Sequence, residues 1–145
     1  MKLLVQRVSR ASVEVEKEVI ASIRQGALVF VGFDKSDDHD TLNSLTEKLL
    51  NYKVFGDSRG KLGLSLVETN NDLLVVPQVT LSVGTKKGTK PSFSYAADPR
   101  KGNQLFADFQ ALIEKKFKSI EVGKFGADMS VSLINEGPIT FWFEL

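Results

Sequence analysis

Apolar residues alternate with polar ones near both ends of the chain and follow helical spacing at two places between. Leu3 to Arg7 and Ser12 to Glu16 read as strand, with Val13 and Val15 on one face. A turn at Glu16-Lys17-Glu18 leads to a strand from Val19 to Ile23. Ala27 to Phe33 (ALVFVGF) is an unbroken apolar run rich in β-branched and aromatic residues, the pattern of a strand buried on both faces. The acidic stretch Asp34 to Asp40 suits a loop that ends in a helix cap, and Leu42, Leu45 and Leu49 follow at helical spacing.

Beyond the turn-rich Gly56 to Gly60, two strands are expected, Gly63 to Val67 and Asp72 to Leu81, separated by Asn70-Asn71. Ser82 to Ala97 has no periodicity. Asp98-Pro99 is a helix start, aspartate capping and proline in the first turn, with Phe106, Phe109, Ile113 and Phe117 on one face. Two or three strands close the chain, among them ADMSVSLI and Thr140 to Leu145. Strands in runs with two separate helices predict a single α+β domain, residues 1–145, with a curled, mostly antiparallel sheet or barrel under two main helices.

Composition narrows the chemistry. There is no cysteine, which removes disulfides, thiolate catalysis and zinc–cysteine sites. No apolar run approaches a membrane span, and the N-terminus lacks a signal-peptide pattern. A cytoplasmic location fits. The net charge of +1 gives no global basic field, so any nucleic-acid contact must come from a local patch. Nothing calls for a metal or another cofactor. His39, the one histidine, sits in DDHD at a helix start, the ordinary place for a solvated side chain. A histidine-based triad has no other candidate, and no phosphate-binding glycine motif is present.

Two stretches carry more than structure requires. In Val75 to Phe93 an expected strand end, Pro77-Gln78-Val79-Thr80-Leu81, runs into a glycine loop bearing Lys86, Lys87 and Lys90. Separately these read as a β-branched strand residue and a solvated loop. Together they suit a phosphate backbone beside a catalytic strand end. In NEGPIT, Asn135 to Thr140, Gly-Pro interrupts two strand patterns. A trans bond is the default, since cis accounts for only about 5–6% of X-Pro bonds in folded proteins.

The motifs together resemble the D-aminoacyl-tRNA deacylases from end to end. QRVSRASVEV (residues 6–15) is similar to the family's N-terminal signature, and Pro77 to Leu81 to its Ser-Gln-Phe-Thr-Leu motif. Lys87-Gly88-Thr89-Lys90-Pro91-Ser92-Phe93 resembles its Lys-Gly-x-x-Pro-Ser-Phe segment. NEGPIT, preceded by GKFGADMSVSL, resembles its Asn-x-Gly-Pro-x-Thr ending.

The resemblance implies hydrolysis of the ester joining a D-amino acid, or mischarged glycine, to the 3′-terminal adenosine of tRNA. It implies a homodimer in which a cis Gly137-Pro138 from each subunit enters its partner's site and blocks L side chains, with Arg7 holding that motif. Backbone amides near Val79 and Thr80, within the catalytic segment Gln78-Val79-Thr80, would stabilise the oxyanion. The substrate's ribose 2′-hydroxyl is favoured over Thr80 as the assisting group, since no base neighbours Thr80 in sequence. Two positions depart from the family: Pro77 stands in place of serine and Val79 in place of phenylalanine. A non-catalytic tRNA-binding module and a hydrolase of small esters or N-acyl D-amino acids are the alternatives.

Overall fold

The computed structural model describes all 145 residues. The elements in chain order are β1 (Lys2–Val15), β2 (Glu18–Ile23), β3 (Gly26–Gly32), α1 (His39–Asn51), β4 (Phe55–Gly56), β5 (Leu62–Leu64) and α2 (Leu66–Thr69). After these come β6 (Asp72–Pro77), α3 (Pro99–Glu114), β7 (Ile120–Val122) and β8 (Ser130–Glu144). The α+β expectation holds: β1 pairs antiparallel with β2, β3 and β8, while β3–β6 and β6–β7 are parallel.

Strand β1 organises the sheet. Its first half pairs with β3 and its second half with β2 on one edge, and β8 runs along the other edge. The two stretches read separately in the sequence, Leu3 to Arg7 and Ser12 to Glu16, are therefore one strand up to Val15, with Glu16 already in the turn. The same is true of ADMSVSLI and Thr140 to Leu145: SVSLI of the first and Thr140 to Glu144 of the second both belong to β8, while Ala127 to Met129 precede it. The hairpin between β1 and β2 turns at Glu16 and Lys17, both at positive φ (52° and 69°), the hand that matches strand twist.

The sheet is covered on both faces, which explains the unbroken apolar run in β3. Ala27, Val29 and Val31 join Leu73 and Val75 of β6 in one core with Leu45 and Leu49 of α1 and Phe106, Phe109 and Ile113 of α3. Leu28, Leu74 and Val76 point the other way. They meet Val8, Ala11 and Val13 of β1 and Ala21 and Ile23 of β2, because the curl brings β2 back toward β6 and β7. Alternate residues thus serve different cores, as a period of two requires. Phe33 meets Phe109 edge-to-face at 6.3 Å. Phe117 lies past the end of α3 yet is buried in the same core.

Two expected strands are shorter than their patterns. The second half of Gly63 to Val67 is helical, because Ser65 and Glu68 form a capping box that starts α2. Lys53 and Ser65 draw the Glu68 carboxyl down to about 2. Asp72 to Leu81 ends as strand at Pro77, and Val79–Ser82 is a 3₁₀ turn. Pro77 lacks an amide to offer β7; its ring packs beside Gly123, and the β6–β7 ladder stops at Val75 and Val122.

An ionic cluster ties the first residues to the loop after β3. The Met1 ammonium is buried and contacts Asp37 at 2.5 Å and Asp34 at 3.3 Å, and the Lys2 ammonium also meets Asp34. Burial raises the Asp34 carboxyl most. Hydrogen bonding from Lys2, the Ser82 hydroxyl and the charge of the amino terminus together outweigh it and hold Asp34 below its ordinary value. A depressed carboxylate stabilises the fold fully above its unfolded pKa of about 4, and that stability is lost as pH falls through the lower native value. Asp34→Asn is expected to flatten the acid limb of a pH–stability curve below about pH 4, measured by urea unfolding. An unchanged limb would place the acid sensitivity elsewhere.

Candidate active site

The turn after β6 carries the first group of candidate residues. The Gln78 amide donates to the Val31 carbonyl at 2.7 Å, which sets the turn against the end of β3. Gln78 Nε2 donates to Thr80 Oγ1 at 2.6 Å, leaving the Thr80 hydroxyl hydrogen free to point elsewhere. Val79 and Thr80 are exposed, and as the first residues of a 3₁₀ turn their amides have no acceptor within it. No histidine or carboxylate hydrogen-bonds Thr80.

Gly32 allows this placement. A Cβ there would lie 2.8 Å from both Leu81 Cβ and Ser82 Oγ and 3.0 Å from the Gln78 carbonyl oxygen. Ser82 is buried beneath the turn and faces Asp34. Neither Ser82 Oγ nor Asp34 Oδ1 completes a well-formed hydrogen bond, so the hydroxyl is a weaker partner for Asp34 than Lys2 is. A glycine closing an apolar strand is the one sequence signal for this close approach.

Gln78 and Val79 also line a cleft of about 800 Å³. Phe93, Phe125 and Met129 form much of its apolar wall, and Asp98 stands at its edge with its carboxylate committed to capping α3. Phe125 and Met129 come from the GKFGADM stretch, whose residues show no periodicity that would mark them as lining.

The remaining candidates form two other groups. Opposite Arg7, the β1–β8 register passes from Gln6–Thr140 to Val8–Asn135, so Glu136 to Ile139 loop out of the strand. The Gly137-Pro138 bond in this corner is cis, and both residues are exposed. Asn135 Nδ2 clasps its base, donating to the Arg7 carbonyl and to the Ile139 carbonyl, both at 3.0 Å. Arg7 reaches the corner through Glu136, its Nε 3.2 Å from Oε2, and its Nη1 donates to the Val54 carbonyl at 3.1 Å. Lys86, Lys87 and Lys90 are exposed, without ion pairs, in a loop closed by paired Gly84 and Ser92. Neither the corner nor these lysines line the chain's own cleft. His39 is exposed at the first position of α1.

Residues 4–144 match the family model for D-Tyr-tRNA(Tyr) deacylase. The chain is 47% identical over 144 residues to the D-aminoacyl-tRNA deacylase of Teredinibacter turnerae, covering 99% of each, and 43% identical over 145 residues to that of Klebsiella pneumoniae, covering all of both. This chain belongs to the D-aminoacyl-tRNA deacylase family. Its members are hydrolases of aminoacyl-tRNA esters. Among solved structures, one described as a c-Myc DNA unwinding element binding protein superposes with a TM-score of 0.96 at 36% identity, over 100% of this chain and 99% of that one. Another, described as a probable eukaryotic D-amino acid tRNA deacylase, gives 0.84 at 20% identity, covering 99% of this chain and 98% of that one, and supports the fold.

Gly32→Ala tests how strictly this deacylase-family site depends on the placement of its turn. The added methyl meets Leu81 Cβ and the Gln78 carbonyl oxygen, which cannot swing aside, as well as Ser82 Oγ. The variant is expected to lose about a hundredfold in kcat/KM on the family's substrate if the turn moves on the order of 1 Å. Unimpaired turnover would show that the turn is not held by this contact.

Proposed function

We propose that the chain hydrolyses the ester linking a D-amino acid, or glycine, to the 3′-terminal adenosine of tRNA, and that it does so as a homodimer. The observation that carries this is the exposed 78–80 turn at the edge of an apolar cleft, in a chain aligned with the family along almost its whole length. An aminoacyl ester is already activated, so donors aimed at the developing oxyanion supply most of what hydrolysis needs. The Val79 and Thr80 amides, which have no acceptor within the 3₁₀ turn, would do this. Val79 keeps its amide although its side chain is smaller than the phenylalanine the family pattern has there, and Pro77, buried beside Gly123, contributes to the cleft wall without a hydroxyl or an amide donor.

The missing base near Thr80 favours the substrate's 2′-hydroxyl as the group that assists attack of water. Gly137 and Pro138 lie outside their own chain's cleft, as residues donated to a second copy must, so each protomer would complete the other's site. Their carbonyls would exclude an L side chain and admit D or none. Arg7 steadies this corner through Glu136. The enzyme needs no cofactor in this reading.

Matched D-aminoacyl-, glycyl- and L-aminoacyl-tRNA should separate sharply, with free amino acid released from the first two only. Thr80→Ala is expected to slow release modestly, whereas a substrate ending in 2′-deoxyadenosine should react poorly. A covalent aminoacyl adduct on Thr80 would replace the 2′-hydroxyl mechanism with a nucleophilic one. Binding of tRNA with no release would leave only a binding module. Full activity in a species that sediments as a monomer at micromolar concentration would defeat the shared site.

Lys86, Lys87 and Lys90 are assigned to phosphates of the acceptor end. Replacing all three with glutamine should weaken tRNA binding and reduce the slope of log K against log salt by about two units. An unchanged slope would return them to solvent.

A further inference from the structure

Between the cleft and the lysine loop lies a short 3₁₀ turn, Phe93–Tyr95, whose residues face in two directions. Phe93 and Ala96 line the cleft. Tyr95 does not; its ring lies over Gly84, with Cδ2 and Cε2 3.4 and 3.2 Å from where a Cβ on that glycine would stand. Gly84 in turn pairs with Ser92 through two hydrogen bonds of 2.7 and 3.0 Å, and this pair closes the loop bearing Lys86, Lys87 and Lys90. Tyr95 therefore stands at the base of the cationic loop, two residues from a wall of the cleft.

Burial does not account for this ring. Tyr95 remains 62% exposed and Phe93 53% exposed. A single exposed aromatic is unremarkable. Two within three residues, flanked by three unpaired lysines and an apolar cleft, have the make-up of a surface that holds unpaired RNA: aromatic faces for bases and cations for the backbone. The backbone of the turn is also held in place. The Lys35 amide donates to the Tyr95 carbonyl and the Ala97 amide to the Phe33 carbonyl, both at 2.9 Å, so the turn is tied to the end of β3. The backbone cost of ordering this turn is therefore met before a base stacks there.

We propose that Tyr95 is a stacking platform for an unpaired base of the tRNA acceptor end, adjacent to the nucleotide that carries the ester. This rests on the reading of the substrate given above. With the ester at the 78–80 turn and its nucleoside in the cleft, the strand leaves past Phe93. Two residues of chain, at most about 7 Å, bring it to Tyr95. Its phosphates then pass the lysine loop. Stacking contributes affinity without reading sequence, so the platform serves any tRNA with an unpaired end.

Truncating the substrate separates this role from a structural one. Tyr95→Ala is expected to raise KM for D-aminoacyl-tRNA about fivefold or more, with kcat little changed. For a D-amino acid esterified to adenosine alone, KM should be unaffected. Tyr95→Phe and Tyr95→Trp should restore tight use of the tRNA substrate, since the ring and not the hydroxyl is what stacks. An unchanged KM on tRNA, or equal losses on tRNA and on the nucleoside ester, would overturn the proposal. If the wild-type chain cleaves neither substrate, the functional reading fails and binding still decides the platform. Uncharged tRNA should then bind more tightly than tRNA trimmed of its unpaired 3′ nucleotides, and Tyr95→Ala should erase that difference. Persistence of the difference in the variant would sink it.

Discussion

Hydrogen bonding on both edges of β1 is the constraint from which the molecule is built. One strand of 14 residues serves two partners in succession on one edge and a single long partner on the other. To satisfy β3 and β2 in turn while staying paired to β8, the sheet has to curl, and the curl creates an inside. Val8, Ala11 and Val13 then face Leu74 and Val76 across that interior, while Leu3 and Val5 face the helices. A strand of this kind leaves few ways to rearrange one half of the sheet without the other.

The candidate catalytic turn inherits its position from this arrangement. Strand β6 lies beside β3, and the chain leaves β6 against the bare backbone of Gly32. Beneath it, Ser82 faces the Asp34 carboxylate that also holds Lys2 and the Met1 ammonium. The charges at the start of β1 and the turn that carries Thr80 thus share one acidic group. Hydrophobic packing sets the distance between them, and the ionic cluster holds the loop after β3 that lies between them.

Periodicity makes most of this architecture legible. Alternation identifies β1, β2 and β8, the unbroken run in β3 announces two covered faces, and Asp98-Pro99 marks the start of α3. What alternation cannot show is continuity, because a strand that bulges or changes partner looks like two strands. Nor does it show the end of β6: Val79 and Leu81 continue the apolar pattern, but Pro77 and the contact with Gly32 turn the chain. Ser65 and Glu68 override strand-like neighbours through a local cap. At the site, the 78–80 segment and the Gly-Pro corner are visible as motifs. The contacts made by Gly32, Asn135 and Phe125 are not, since each reaches residues remote in sequence.

The corner at Glu136 to Ile139 has flanks paired to the same strand on both sides, and Asn135 stitches its base shut. A flap that closes over its ligand must lose conformational freedom at every encounter, and its discrimination then depends on how long it stays shut. A short excursion anchored in this way gives up that freedom once, when the chain folds. In the proposed dimer such a corner would act as a fixed gauge, sorting what meets it by shape at first contact, at a rate that owes nothing to the opening and closing of a lid.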